Sequence, residues 1–422
     1  MNLQRIELSQ VLARREARVS RQRELLEKYK RPIVCFCMNI PGDIKRTPAV
    51  DMLFESGARR ILRSVLGGFA KGGSARDSRG PAASLLHAEY YYAATGPEAF
   101  LVFDGISASK LKVVAVNVEE AEPEARLFDI DIIDESGEKL SRSAPRVCIV
   151  CGKPVNLCAS SRAHSLMELR RATDELIVSW LADSLAAAAR AAMDEEAELT
   201  PKPGLVDAAN SGAHSDMDIS LLKLSSAAIE PYFCEMAHKS YLGEASISEL
   251  TRLGVEAESA MLRASGGVNT HRGAIFAFSV YIAALARAAA SGESAFAIAR
   301  KLVEEKFRVA ASSAEYLLVA DSAKSMPAAI EESHGQAVKR KYGSGGAEEH
   351  ALVGFPSALK ARRTIIETGD KLLALCGIMK ELSDSNILYR GGPEGLDFVR
   401  KRAAAIELMG PEARISALKD MD

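Results

Sequence analysis

Arg126-Leu-Phe-Asp-Ile-Asp-Ile-Ile-Asp134 alternates apolar and acidic residues with a period of two. A β-strand sends successive side chains to opposite faces, so Phe128, Ile130 and Ile132 turn to a core while Asp129 and Asp131 share the other face. Aspartate is a poor strand former, and two of them in one strand need a reason. About 7 Å apart along one face, two carboxylates suit divalent metal ions in an in-line displacement at phosphorus. The competing reading is an edge strand with a solvated acidic face.

Upstream, Ile33 to Met38 reads as a short buried strand, and Asn39-Ile-Pro-Gly42 as the turn that follows it. Lys45 lies just beyond, where such an edge can face a phosphate or be no more than a strand and its loop. Leu101–Phe103 and Leu111–Val118 read as further strands. Residues 3–30 read as an amphipathic helix, with Leu3, Ile6, Val11, Leu12, Leu25 and Leu26 set between dense Arg and Glu; its charges are expected to be a solvated face. Gly67 to Gly80 is a Gly/Ser/Arg loop too irregular for a phosphate-binding motif. Downstream, Cys148-x2-Cys151-x6-Cys158-x5-His164 offers three thiolates and an imidazole, which can close a structural zinc site. The spacing fits none of the common zinc modules well, and intracellular cysteines are often simply buried.

From about residue 169 alanine rises, Pro and Gly thin out and helical patterns dominate. Asp174 to Met193 carries a long apolar stripe that includes Leu176, Ile177, Trp180, Leu181 and Leu185. Helices are expected at 219–241, 246–264, 271–291, 294–319, 323–334, 357–383 and 395–409. The expected architecture is an α+β N-terminal domain, residues 1–168, followed by a nearly all-α domain, residues 169–422. Four polar clusters interrupt the helical half. Thr200-Pro-Lys-Pro-Gly-Leu-Val-Asp207 leads into Asn210, His214, Asp216 and Asp218; if this run is helical, Asp207, Asn210, His214 and Asp218 share a face. Such a stripe supplies hard oxygen ligands for Mg²⁺ and a group that moves a proton. Helix caps and a solvated His are the alternative. Gly266-Gly-Val-Asn-Thr-His-Arg-Gly273 describes a helix N-terminus, either an anion site with an added cation or an ordinary capped helix. Glu332-Ser-His-Gly-Gln336 reads as a helix end or turn. In Asp384-Ser-Asn-Ile-Leu-Tyr-Arg-Gly-Gly392, Asp384 and Asn386 can reach a metal or a ribose, with Arg390 one turn beyond.

The whole chain sets the class. Its 422 residues suggest two or three domains. A net charge of −2 gives no electrostatic case for nucleic-acid or membrane-surface partners. No apolar run reaches membrane-spanning length, and the charged N-terminus is unlike a signal peptide. Seven unevenly spaced cysteines do not form a secreted disulfide framework. A cytoplasmic enzyme is expected.

Several runs carry a family resemblance. Residues 1–168 resemble the citrate lyase holo-acyl-carrier-protein synthases, also called apo-citrate lyase phosphoribosyl-dephospho-CoA transferases. The matching runs are Ala13-Arg-Arg-Glu-Ala-Arg18, Met38-Asn-Ile-Pro-Gly42 with Lys45, Thr95-Gly-Pro-Glu-Ala-Phe100, Arg126-Leu-Phe-Asp-Ile-Asp131, and Cys148 through Cys158-Ala-Ser-Ser-Arg-Ala-His-Ser165. Ala125 and Asp43 stand where that family usually has Gly and Pro. The resemblance implies a nucleotidyltransferase-like domain. In it, a serine of the citrate lyase acyl carrier protein attacks the α-phosphate of a triphosphoribosyl group and pyrophosphate leaves. Asp129 and Asp131 would hold metal, Lys45 and Arg126 would offset charge on the leaving group, and Asn39 and Arg162 would touch substrate.

Residues 175–410 resemble the triphosphoribosyl-dephospho-CoA synthases. The matching runs are Thr200-Pro-Lys-Pro-Gly-Leu-Val-Asp207, Asn210 with Gly212-Ala-His-Ser-Asp-Met-Asp218, Gly267-Val-Asn-Thr-His-Arg-Gly-Ala-Ile-Phe276, His334-Gly-Gln336, Gly354-Phe-Pro356, and Asp384-Ser-Asn386 with Arg390-Gly-Gly392. Arg272 and Ser385 stand where Lys and Thr are more usual. The implied reaction joins the ribose 2′-hydroxyl of 3′-dephospho-CoA to C1′ of ATP and expels adenine, through an oxocarbenium-like transition state. Asp207, Asp216, Asp218 and Asp384 would bind Mg²⁺ (or Mn²⁺) or act as base. Lys202, Arg272 and Arg390 would hold phosphates. Asn210, Asn269 and Asn386 would touch substrate, and His214 or His271 would shuttle a proton. The two resemblances complement each other, because the product of the second half is the donor for the first. Two rival classes remain: an α-helical Mg²⁺-dependent phosphohydrolase or synthase, and a non-catalytic assembly factor for a carrier-protein complex.

Overall fold

A computed structural model describes residues 3–67, 83–312 and 354–421, together with 338, 340–343, 350 and 351. The expected turn at Glu332–Gln336, the helix at 323–334 and most of the Gly67–Gly80 loop lie outside these residues. The chain divides into two units, Met1–Leu181 with Ala289–Gly292, and Ala182–Ala288 with Glu293–Asp422.

The first unit is α+β. Its strands are β1 (Ile33–Met38), β2 (Ser84–Ala93), β3 (Gly96–Asp104) and β4 (Phe128–Ile133), in the antiparallel order β2-β3-β1-β4. Helices α1 (Leu8–Tyr29), α2 (Pro48–Leu66), α3 (Ala108–Glu120) and the short α4 (Val155–Ser161) accompany them. On one face Phe36 stacks on Phe54 of α2 at 4.8 Å and meets Phe128 edge-on at 5.2 Å. α2 approaches this closely because position 57 is glycine: a Cβ there would stand 2.7 Å from Phe36 and 2.8 Å from Phe128. On the other face Leu25 of α1 packs with Ile33, Cys35, Phe100, Val102 and Ile133.

Two expectations for this unit fail. Leu111–Val118 is not a strand but the middle of α3. Ser107 caps that helix through the Lys110 N–H, and its buried positions, 108, 111, 114, 115 and 118, follow a helical period. The β-branched residues that suggested a strand are overridden by cap and packing. The charged stripe of α1 is not simply a solvated face. Arg14 and Arg18 both reach Glu98, buried on β3, and Arg21 pairs with Glu89 of β2 at 2.7 Å. A buried carboxylate stripped of its cations is expensive. Replacing both Arg14 and Arg18 by Ala should therefore destabilise this unit by about 3–5 kcal/mol, read as a lower denaturation midpoint; an unchanged midpoint would remove this role from the pair.

The second unit is helical. α5 (Leu166–Glu198) supplies residues to both units, and α6 (Ile219–Tyr241), α7 (Ile247–Ala264), α8 (Arg272–Ser291) and α9 (Ala295–Ser312) follow. Ala182, Ala186 and Met193 of α5 pack with Ile229, Phe233 and Met236 of α6, Leu253 and Met261 of α7, and Ile275 and Ile282 of α8. Alanines on these faces let the helices approach closely. α5 and α8 are long and apolar enough to cross a membrane by length and composition, contrary to the sequence expectation, but the apolar residues just named are buried in this core. The single helix expected at 357–383 is two, α10 (Pro356–Thr368) and α11 (Lys371–Met379), divided at Gly369 with φ +72°. α12 (Ser385–Glu407) starts ten residues earlier than expected and kinks at Gly392, which has φ +62° ahead of Pro393; α13 (Pro411–Lys419) closes the described chain.

Candidate functional site

Asp129 and Asp131 share one face of β4, as the alternation requires, while Phe128, Ile130 and Ile132 are buried on the other. The β1 register sets Cys37 opposite Asp129 and Cys35 opposite Asp131. The side chains stay accessible, Asp129 at 40% and Asp131 at 23%. Each aspartate meets a cation. Arg146 lies 3.3 Å from Asp129 Oδ1, and Lys139 Nζ donates to Asp131 Oδ2 at 2.6 Å. Burial alone would lower the Lys139 pKa, but the hydrogen bond to Asp131 together with the negative charges of Asp131 and Asp129 outweighs it and raises the pKa, so the ammonium stays charged. Arg146 is itself held by buried Glu119, which also accepts the outward N–H of Ile130 at 2.8 Å. Burial pushes the Cys35 and Cys37 thiols up to about 12, so they stay protonated and are not nucleophiles.

Arg146 and Lys139 were missed in the sequence, and a signal for one was there. Asp134 accepts from the N–H groups of Ser136 and Glu138, and Gly137 takes φ +91°. This turn folds the chain back so that Lys139 bridges Ile133, diagonal to Asp131. The cations that were expected instead are turned elsewhere. Arg126 donates to the Val147 carbonyl at 2.5 Å. Lys45 donates to Ile40 O within its own loop, and burial together with nearby Arg15 and Arg170 lowers its pKa. Asn39 is exposed, its backbone N–H on Leu127 O at 2.7 Å, and Arg162 is an exposed left-handed cap of α4.

The Thr200–Asp218 stretch is not helical. It is an irregular loop leading into α6, so the one-face argument for Asp207, Asn210, His214 and Asp218 does not hold. The reason is its centre. Asp207 is buried and accepts backbone N–H groups from Lys202 (3.0 Å), Ala209 (2.7 Å) and Asn210 (3.0 Å). Burial would raise its pKa, but these three donors take it below the usual carboxylate range. Its side chain organises the loop and is not open to a metal. Lys202 is likewise buried, its ammonium donating to Glu196 O (2.6 Å) and Oε1 (2.7 Å) rather than facing a phosphate. Gly212 (φ +52°) passes so close to Gly204 and Leu205 that a Cβ would stand 2.6 Å from their backbone.

What the loop leaves open is its second half. A cleft of about 550 Å³ is lined by Ser211, Ser215, Asp216, Asp218 and Ser220, among others. Asp216 is exposed, 3.7 Å from His214 Nδ1. Asp218 uses Oδ1 to cap α6 through the Leu221 N–H. Arg390 of α12 reaches Ala213 O of the same loop at 3.4 Å. Asp384 is the N-cap of α12, with one oxygen accepting from Asn386 and Ile387, and Asn386 is exposed. Asn210 Oδ1 accepts from Gly212 N at 2.6 Å, and Asn269 Oδ1 from Arg272 N at 3.3 Å. The Arg272 guanidinium pairs with Glu258 at 3.2 Å, an ion pair without hydrogen-bond alignment.

His271 is mostly buried at the start of α8. Its Nδ1 lies 2.7 Å from Ser225 Oγ on α6, and Thr270 donates to the same hydroxyl at 2.8 Å. Burial lowers the His271 pKa below its ordinary 6.5, opposed by Glu196 and Asp194 at the end of α5. The imidazole is therefore neutral at pH 7, with Nδ1 engaged and Nε2 left for other work. Sequence reasoning named His271 but gave no sign of Ser225, which looks like any small residue on a helix.

Comparison with known proteins agrees with this two-part layout. A family model for apo-citrate lyase phosphoribosyl-dephospho-CoA transferase matches residues 6–180, and one for ATP:dephospho-CoA triphosphoribosyl transferase matches residues 182–422. A protein named CitXG from Haemophilus influenzae is 30% identical over 94% of this chain and 86% of its own length. A probable 2-(5''-triphosphoribosyl)-3'-dephosphocoenzyme-A synthase from Pseudomonas putida is 37% identical over 57% of this chain and 85% of its own length. The corresponding synthase of Haemophilus ducreyi is 29% identical over 65% and 91%. With both matches in sequence along one polypeptide, the chain belongs to the CitXG family, bifunctional transferases in which a phosphoribosyl-dephospho-CoA transferase precedes a triphosphoribosyl-dephospho-CoA synthase.

Proposed function

We propose that residues 169–422 make the donor and residues 1–168, as a nucleotidyltransferase-like domain, spend it on the citrate lyase acyl carrier protein. In the first reaction the 2′-oxygen of 3′-dephospho-CoA bonds to C1′ of ATP. The C1′–N9 bond breaks, and the hydroxyl proton is taken up as adenine departs. His271 Nε2 receives that proton, while Ser225 on Nδ1 holds the ring in place. Arg390 and Arg272 bind the triphosphate, the latter after release from Glu258. Asp216 and the free oxygen of Asp218 face the cleft and suit Mg²⁺ on that triphosphate; Asp207 and Lys202 shape the loop beneath them.

In the second reaction the carrier serine oxygen bonds to the α-phosphorus and pyrophosphate leaves. The observation that carries this reading is the pair of accessible aspartates on one strand face, each beside a cation. Asp129 and Asp131 offer the hard oxygen donors that Mg²⁺ prefers. When bound, the ion would neutralise charge on the phosphates. Arg146 and Lys139 flank the same place and are suited to the departing pyrophosphate. A cytoplasmic setting, where ATP, dephospho-CoA and the carrier meet, goes with this reading.

The test is intact-mass spectrometry of apo-acyl carrier protein incubated with the full chain, ATP, Mg²⁺ and 3′-dephospho-CoA, with adenine followed in parallel. The expected result is one phosphoribosyl-dephospho-CoA added per carrier and stoichiometric adenine. Phosphate or ADP release without adenine would favour a phosphohydrolase, and no mass gain would overturn the bifunctional reading.

A further inference from the structure

Residues 148–164 bring three cysteines and a histidine together around a short turn and a helix of seven residues. Val150, Val155 and Leu157 are exposed, yet Cys148 and Cys158 are buried. Cys151 and His164 lie close to those two sulfurs. One ligand atom from each of Cys148, Cys151, Cys158 and His164 can be chosen so that all lie within 4.8 Å of one another. Cys151 Sγ is 3.4 Å from Cys158 Sγ and 3.3 Å from His164 Nε2, and all the cysteines are free thiols. A Zn–S length of about 2.3 Å in a tetrahedron sets neighbouring sulfurs roughly 3.8 Å apart, so small side-chain shifts accommodate an ion at the centre.

The backbone is shaped for the same purpose. Cys148 N donates to Lys153 O at 2.6 Å, and Gly152 N returns to Cys148 O at 3.0 Å, with Gly152 in the left-handed region at φ +71°. The turn aims the Val150 N–H at Cys148 Sγ, 3.4 Å away. Such N–H···S bonds support a metal-bound thiolate in the way outer-shell partners orient other ligands.

We propose that Cys148, Cys151, Cys158 and His164 form a closed zinc site that braces the segment carrying Arg146, the cation beside Asp129. Three soft thiolates and one imidazole in a tetrahedral arrangement with no open position favour zinc in a structural role. The bracing is direct. Val155 N donates to Arg146 O at 2.8 Å, and the Val147 carbonyl receives Arg126. Arg146 then reaches Phe128 O at 2.8 Å and Asp129. Without the ion the knuckle has little apolar packing to keep its shape, and the backbone that carries Arg146 loses the support of Val155. Only the consequence for carrier modification rests on the function proposed above; the metal site stands without it.

Metal analysis of the full chain, purified without chelator, should find about one zinc per chain. Cys151→Ser and Cys158→Ser should each lose it, and His164→Cys, which keeps four ligands, should retain it. The serine variants should release adenine at the wild-type rate while carrier modification falls at least ten-fold, and His164→Cys should stay close to wild type in both. A chain free of zinc, or a 2 Da mass loss marking a Cys151–Cys158 disulfide, would overturn the site. Zinc lost in Cys151→Ser with carrier modification unchanged would overturn the bracing. Should the serine variants fail to fold, the zinc content of the unaltered chain still decides the site. Loss of carrier modification when that chain is stripped of zinc, restored on adding zinc back, decides the bracing.

Discussion

Replacing Asp129 by Asn should stop carrier modification while adenine release continues at the wild-type rate. The substitution keeps the shape of the side chain and its place on β4, opposite Cys37, and removes only the charge. Asp129 is the more exposed of the two strand aspartates and the one beside Arg146, so loss of its charge changes the site and not the core. Removing one preorganised electrostatic group from such a centre typically costs a factor of about 10²–10³, and loss of a metal ligand adds to that. A fall of about 10³-fold or more in transfer is expected, by intact mass of the carrier. Asp104→Asn is the control: that half-exposed carboxylate, at the end of β3, pairs with Arg31. Transfer within a few-fold of wild type in Asp129→Asn would remove the strand from the active site. A parallel loss of adenine release would mean that the two reactions do not belong to separate parts of the chain.

How far the sequence could be read depended on where the determining interactions lie. β1 and β4 were legible because one is continuously apolar and the other strictly alternating, and both patterns follow from the faces they bury. α6 was legible to the residue because Asp218 is a side-chain cap. β2 was missed: it is an edge strand with Leu85, Leu86, Tyr90 and Tyr92 all partly exposed, so its pattern has no clean alternation. The Thr200–Asp218 loop was misread because its shape comes from Asp207 bonding to backbone N–H groups, which has no periodic signature. The polar composition of the site was visible in the sequence; which groups face outward was not. Lys202 and Asp207 turn in, whereas Asp216 stays exposed. Arg146 and Ser225 act through contacts 17 and 46 residues away in sequence, to Asp129 and His271, and no local pattern reports such pairings.

His271 is where the second large effect falls. His271→Gln should reduce adenine release by about 10²–10⁴-fold, while carrier modification from supplied donor is unchanged. Glutamine keeps a polar side chain of similar reach at the start of α8 but cannot take a proton at neutral pH. The pH dependence gives an independent reading. Burial lowers the His271 pKa below 6.5, so the neutral base persists under mildly acidic conditions. The acid limb of kcat/KM for adenine release should therefore lie below pH 6.5 and be absent from the residual activity of His271→Gln. Stability follows the same sign. Below pH 6.5 the unfolded chain takes up the proton before the folded one, so the stability associated with a neutral His271 is complete above that pH and is lost as pH falls toward the folded value. Ser225→Ala removes the Nδ1 partner without touching substrate. As a positioning residue it should lower kcat more than it raises KM and alter the acid limb, with Ser225→Thr restoring part of the rate. An acid limb at or above 6.5, or adenine release undiminished in His271→Gln, would move the proton transfer to His214 and Asp216.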